Sequence, residues 1–174
     1  MEQNQQQAQD PSKFGKWMLI AFWLTGLVLL TIFFSNVLEK QRNPNQSPQS
    51  SMNGQNVEVK LKRNRMGHYV ATGLINGQTV TFLLDTGATN VSVPAHLARG
   101  LGLSAGQAYM ASTANGNVTV YQTKINKLDL GSITLNDVNA SINPGMQNDE
   151  VLLGMSVLKH LEFTQRGDWL ILRN

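Results

Sequence analysis

Cysteine is absent from all 174 residues, which excludes a disulfide framework, a thiol nucleophile and a zinc–thiolate site. That absence fits either redox compartment. Histidine is scarce, and His68, His96 and His160 show no metal-ligand spacing, so no metal or other cofactor is expected. A glycine-rich phosphate loop is also missing. Gly154-Met155-Ser156-Val157-Leu158 begins like a nucleophile elbow but lacks the final glycine and the α/β setting that an elbow needs. Charged residues make up only 14% of the chain, with a net charge of +3. Much of the basic excess sits in Lys60, Lys62, Arg63 and Arg65, with no aromatic residues interleaved. This is the pattern of a solvated strand near an anionic membrane surface rather than of a nucleic-acid patch.

One long stretch has no charge at all. Trp17 to Leu38 runs for 22 residues without Asp, Glu, Lys or Arg. At about 1.5 Å per residue it is long enough to span a bilayer core of about 30 Å. A cleaved signal peptide is the competing reading, but its apolar region is shorter, and Phe34-Ser35-Asn36-Val37 makes a poor cleavage site. Residues 17–38 are therefore expected to be an uncleaved transmembrane anchor in the lipid bilayer. Residues 1–16, rich in Gln and Asn, are expected to be a disordered tail, and the polar, Pro-containing residues 39–56 a flexible linker. Lys13 and Lys16 before the anchor nearly balance Lys40 and Arg42 after it, so the flanking charge does not set orientation.

The folded domain is then expected over residues 57–174, and it reads as all-β. Val57-Glu58-Val59-Lys60-Leu61 alternates apolar and charged residues, as a half-buried strand does. His68–Ile75 and Gln78–Leu84 flank Asn76-Gly77, the residues of a type I′ hairpin turn. A second hairpin joins Ala108–Met110 to Val118–Tyr121 and is expected to turn at Asn115-Gly116. Further strands are expected over Lys124–Leu130, Ile133–Ile142, Val151–Leu153, Leu161–Thr164 and Trp169–Leu172, with Arg166-Gly167-Asp168 as a turn. Only Pro94–Arg99 and Met155–His160 suggest helices, both short. Many short, closely spaced strands argue for a barrel or sandwich.

Most carboxylates here, namely Glu58, Asp129, Asp137, Asp149, Glu150, Glu162 and Asp168, lie in alternating strands or turn-like surroundings and are expected to be solvated. Asp85 is the exception. It ends the apolar strand Thr79–Leu84, where an aspartate is costly to ionise unless its surroundings are built for it. Thr86 can donate and accept hydrogen bonds beside it, and Gly87 allows backbone geometry that a side chain forbids. The bland reading is an ordinary strand-ending turn.

Phe82-Leu83-Leu84-Asp85-Thr86-Gly87-Ala88, followed by Val91-Ser92-Val93-Pro94, resembles the active-site segment of retropepsin-like aspartic proteases. Leu152-Leu153-Gly154 with Met155–His160 is similar to that family's second signature, two apolar residues and a glycine leading into a short helix. The resemblance runs from about Val57 to Asn174, and with the anchor the chain is most similar to the bacterial membrane-anchored branch. Thr89 and Asn90 stand where retroviral members often carry acidic residues.

The resemblance implies a closed acid-protease β-barrel with one or two short helices, preceded by a single transmembrane helix. It implies Asp85, Thr86 and Gly87 as catalytic residues, with substrate contacts from Ala88 and from a flap around 108–121 whose tip is Thr113, Ala114, Asn115, Gly116 and Asn117. It also places the domain on the periplasmic side of a bacterial inner membrane. Peptide hydrolysis by carboxylates needs two of them, one as base and one as acid. At about 3 Å apart the two share one proton. This chain holds a single Asp-Thr-Gly, so a homodimer acting on polypeptide substrate is expected, with Thr86 holding the two loops together. The alternative is a non-catalytic, membrane-anchored β-barrel that binds peptide or a partner protein. A self-processing enzyme would cut within residues 41–56.

Overall fold

The computed structural model describes residues 11–53, 56–113 and 116–174. The chain divides into two compact units, Met1–Glu39 and Lys40–Asn174. The described residues of the first belong to a helix, α1 (Pro11–Arg42), whose last three residues fall in the second. Its apolar side chains, among them Trp17, Phe22, Trp23, Phe33 and Phe34, are exposed. It is long and apolar enough to cross a membrane. Two hydroxyls inside the apolar run return to the helix itself: Thr25 Oγ1 donates to the Ala21 carbonyl and Thr31 Oγ1 to the Leu27 carbonyl, both at 2.8 Å. In hydrocarbon such internal partners remove the cost of an unpaired polar group.

The helix is longer than the expected 17–38 at both ends. Pro11 suits a first helical position, where no N–H is needed. Leu38-Glu39-Lys40-Gln41-Arg42 are all good helix formers, so the helix continues through the start of the expected linker.

Among the described residues the second unit holds eleven strands and two short helices. The strands are β1 (Gln49–Asn53), β2 (Asn56–Lys62), β3 (Tyr69–Ile75), β4 (Gln78–Leu84), β5 (Val91–Pro94) and β6 (Ala108–Thr113). They continue with β7 (Gly116–Leu130), β8 (Ile133–Asn143), β9 (Glu150–Leu153), β10 (Glu162–Arg166) and β11 (Trp169–Arg173). The helices are α2 (Ala95–Ala98) and α3 (Met155–Leu158). The all-β expectation holds, and so do both short helices. Asn76 and Gly77 take φ of 50° and 81°, the left-handed pair of a I′ turn, so β3 and β4 pair in the expected register. The second hairpin pairs Thr113 with Gly116. Of the expected turn Asn115-Gly116, Gly116 opens β7 and Asn115 lies outside the described residues.

Seven strands form one sheet in the order β3-β4-β9-β5-β8-β7-β6, and β7 also pairs with β3 through Leu74–Asp129 and Ile75–Leu128. That pairing closes a ring of six strands, with β6 added outside β7. Inside lie Phe82, Ile75, Ile125, Leu128, Leu130 and Leu153, all essentially inaccessible. Each such side chain contributes about 1.5–3 kcal/mol by leaving water. The other four strands make an antiparallel sheet in the order β1-β2-β11-β10.

The expected flexible linker is corrected here. Its C-terminal part forms β1, paired residue for residue with β2 from Gln49–Lys60 onward. Upstream, Asn43 and Asn45 are buried. Asn45 Nδ2 donates to the carbonyls of Lys62 (2.9 Å) and Val70 (2.7 Å), and its Oδ1 accepts the Lys62 N–H at 2.6 Å. Asn43 Nδ2 donates to Thr72 Oγ1 at 2.9 Å. The segment has few apolar residues to bury, but its amides complete the hydrogen bonding of β2 and β3, which polar composition alone does not reveal.

Candidate active site

β4 lies between antiparallel β3 and parallel β9, which fixes the direction in which its last residue leaves the sheet. The ladder with β9 continues one step beyond Leu84–Leu153, because the Asp85 N–H donates to the Leu153 carbonyl at 3.2 Å. The chain then turns: the Ala88 N–H donates to the Asp85 carbonyl at 3.2 Å, and the Gly87 N–H to Asp85 Oδ1 at 2.8 Å. A Cβ on residue 87 would sit 3.1 Å from that same oxygen. Glycine at 87 thus leaves room for the carboxylate it binds.

β9 also separates β4 from β5, the strand that follows the Asp85 loop, so the loop spans the strand that carries the second signature. Gly154, just past β9, is pressed under it. A Cβ at 154 would lie 2.5 Å from the Asn90 carbonyl oxygen and 2.6 Å from that of Ala88. The first amides of α3 have no side-chain cap. Met155 N–H donates to the Ala88 carbonyl and Ser156 N–H to the Thr89 carbonyl, both at 2.8 Å. Helix-start donors that need partners are thus satisfied by the loop that bears Asp85.

Asp85 and Ala88 are half-buried, while Thr86 and Gly87 are exposed. Among the described residues the Thr86 hydroxyl makes no hydrogen bond. The structure brings Asp85, Thr86, Gly87 and Ala88 into one turn against Leu153 and Gly154. Thr113, Gly116 and Asn117 are exposed at the end of the β6–β7 hairpin, with Thr113 Oγ1 donating to the Gly116 carbonyl at 2.7 Å. Ala114 and Asn115 fall outside the described residues. An open groove of about 670 Å³ starts at Asn90 and runs along Gly106, Tyr109, Gln122, Lys124 and Asn139. None of Asp85, Thr86 and Gly87 lines it.

Several carboxylates expected to be solvated are held instead. Glu58 is buried between Arg173 (2.8 Å) and Lys60 (3.3 Å). The hydrogen bond from Arg173 outweighs burial and, with Lys60, keeps its carboxyl below the ordinary 4.5. Glu150, on β9, pairs with Arg42 at 2.9 Å, and Asp129 with Lys127 at 3.0 Å. Arg173 and Arg42 reach their carboxylates from 115 and 108 positions away. Lys60 and Lys127, by contrast, are near neighbours of theirs on the same strand.

Three comparisons bear on this arrangement. The family described as gag-polyprotein putative aspartyl protease matches residues 71–160, which hold both signatures. An uncharacterised protein in the cobV 5′ region of a Sinorhizobium species is 32% identical over 121 residues, covering 67% of this chain and 52% of that one. The chain thus spans about half the length of the curated relative it matches. Among solved structures, a retropepsin-like aspartic protease from Rickettsia conorii aligns with a TM-score of 0.57 at 23% identity, over 73% of this chain and 94% of that one. The EIAV protease complexed with the inhibitor HBY-793 aligns with a TM-score of 0.46 at 19% identity, over 57% and 93%. With the family match covering both signatures and the Asp85 loop locked onto Gly154, the chain belongs to the family of gag-polyprotein putative aspartyl proteases, and its fold is that of a retropepsin-like aspartic protease.

Proposed function

We propose that the protein is a membrane-anchored aspartic endopeptidase that works as a homodimer. The observation that carries this reading is the Asp85 turn, held from beneath by Leu153 and Gly154 while Thr86 and Gly87 stay exposed. Each chain supplies one Asp85, so two chains supply the base and the acid. The ionised carboxylate takes a proton from water as the water oxygen bonds to the peptide carbonyl carbon. The protonated carboxyl gives its proton to the carbonyl oxygen. Collapse of this gem-diol breaks the C–N bond: the carboxyl that took water's proton gives it to the leaving nitrogen, and one gem-diol hydroxyl returns its proton to the other carboxylate as the acid product forms. Thr86, exposed and without a hydrogen-bond partner among the described residues, is free to bond across the two-fold axis. The β6–β7 hairpin serves as the flap that closes over an extended peptide, which pairs by its main chain as an added strand.

The charge-free residues 17–38 hold the chain in a bacterial inner membrane, with the domain on the periplasmic side. Confinement to one bilayer raises the effective concentration of the chains and favours pairing. The test is cleavage of an unfolded protein at mildly acidic pH by the full chain in detergent, beside its Asp85→Asn variant. Cleavage by the parent that is blocked by a hydroxyl-containing peptide and lost, by at least about a thousandfold, in the variant is the expected result. Equal cleavage by both proteins would remove Asp85 from the chemistry.

A further inference from the structure

Trp169 stands apart from the apolar run that holds the other two tryptophans, and it is 37% exposed. It opens β11 and lies directly opposite Lys62 on β2 and Arg166 on β10. Residues opposite one another in antiparallel strands project from the same face. Lys62, Trp169 and Arg166 therefore form a row across three strands, with the indole between two cationic residues. Leu61 and Leu170, one step along their strands, are buried, so the row belongs to the outer face of the sheet.

The chain that follows Lys62 extends this row. Arg63 is neutralised by Asp168 at 2.7 Å, whereas Lys62, Arg65 and Arg166 form no ion pair among the described residues. The connection from β2 to β3 folds around buried Asn64, whose Oδ1 accepts the N–H groups of Met66 (3.0 Å) and His68 (2.9 Å). Met66, between them, is 66% exposed. One end of the sheet thus presents three unpaired cations, an indole and a thioether.

The same loop is tied to the chain just beyond the charge-free run. Asn64 Nδ2 donates to the Arg42 carbonyl at 3.0 Å, and Arg65 Nη1 to Gln41 Oε1 at 3.2 Å. Leu38 ends the charge-free run, and four residues of chain reach at most about 14 Å. A run held in a bilayer therefore keeps Arg42, and the loop bonded to it, close to the headgroups. An aromatic ring at headgroup level with Lys and Arg beside it is the composition that this layer takes up.

We propose that this end of the four-stranded sheet is a lipid-contacting face. Lys62, Arg65 and Arg166 bind the phosphates of anionic headgroups, and Trp169 and Met66 enter the headgroup layer. The proposal rests on the membrane-anchored reading above, is independent of the peptide chemistry, and adds a second, reversible contact with the bilayer. The attitude of the β unit to the membrane then depends on lipid charge.

Trp17→Phe and Trp23→Phe leave Trp169 as the one indole of the full chain, whose exposure can be read by fluorescence. In lipid nanodiscs containing phosphatidylglycerol, its quenching by acrylamide, a neutral probe, is expected to be at least about threefold weaker than in discs of phosphatidylcholine alone. Lys62→Glu and Arg166→Glu, at exposed positions, are each expected to lower the docked-to-free ratio by about fivefold. Lys159→Glu, just before the opposite end of β10, is expected to leave it unchanged. Salt at about 0.5 M is expected to remove the difference between the two kinds of disc. Equal quenching in both kinds, with the protein held in them, overturns the lipid-contacting face and leaves the anchor standing. Failure of the chain to enter the discs overturns the anchor and the face together. Equal shielding of Trp169 by a short oligonucleotide in phosphatidylcholine discs assigns the row to nucleic acid and overturns the lipid reading. Shielding there that rises with protein concentration assigns it to a second copy and overturns it as well.

Discussion

At position 154 one hydrogen stands where any other residue has carbon. The carbonyl oxygens of Asn90 and Ala88 lie 2.5 and 2.6 Å from the place a Cβ would take, and both belong to backbone that cannot swing aside as a side chain does. Gly154→Ala must therefore push the Asp85 loop away from α3. We expect a loss of about 1–3 kcal/mol by overpacking, measured by denaturant unfolding, together with faster hydrogen exchange at the Met155 and Ser156 amides. Unchanged exchange there would contradict the locking of the two signatures. Gly154 was legible in the sequence because a position this close to two carbonyl oxygens admits only glycine. The carboxylates were less so: nothing local to Glu58 announces Arg173, 115 positions away.

Among the elements, the segment between α1 and β2 departs furthest from expectation. Its Asn, Gln, Ser and Pro composition is that of a tether. What distinguishes Asn45 is a set of partners 17 and 25 positions away, and pairing at such separations leaves no periodic trace. Regular elements were easier: β3 and β4 announce themselves by alternation and by Asn76-Gly77. Asn45→Ala strands the Lys62 and Val70 backbone groups, at about 1–3 kcal/mol for each one left buried and unpaired. The variant is expected to unfold at correspondingly lower denaturant. A fragment starting at Val57 is expected to be less stable than one starting at Lys40, because it lacks both asparagines and β1. Equal stability of the two fragments would reduce the segment to decoration.

For the molecule as a whole, acid tolerance is set in part by Glu58, which joins β2 to β11 through Arg173. Its carboxyl titrates below 4.5 when folded, so the unfolded chain takes up the proton first as pH falls. The stabilisation is fully present above 4.5 and is lost as pH drops through the lower, folded value. We expect wild type to be more stable than Glu58→Gln near neutral pH, with the gap narrowing below pH 4.5 in thermal melts. A gap independent of pH would separate the acid response from this group. The overall β architecture was legible from strand spacing, whereas the closure of β7 onto β3 depends on contacts that no short window of sequence contains.

The position of β9 between β4 and β5 also orders events in time. Asp85 and Glu150 are about 65 residues apart, so at roughly 5–20 residues per second a ribosome needs several seconds to supply the strand that braces the carboxylate. Until then the nascent chain carries its acidic residue on an unsupported loop. Synthesis of β9, rather than of the aspartate, starts the clock for any chemistry performed there.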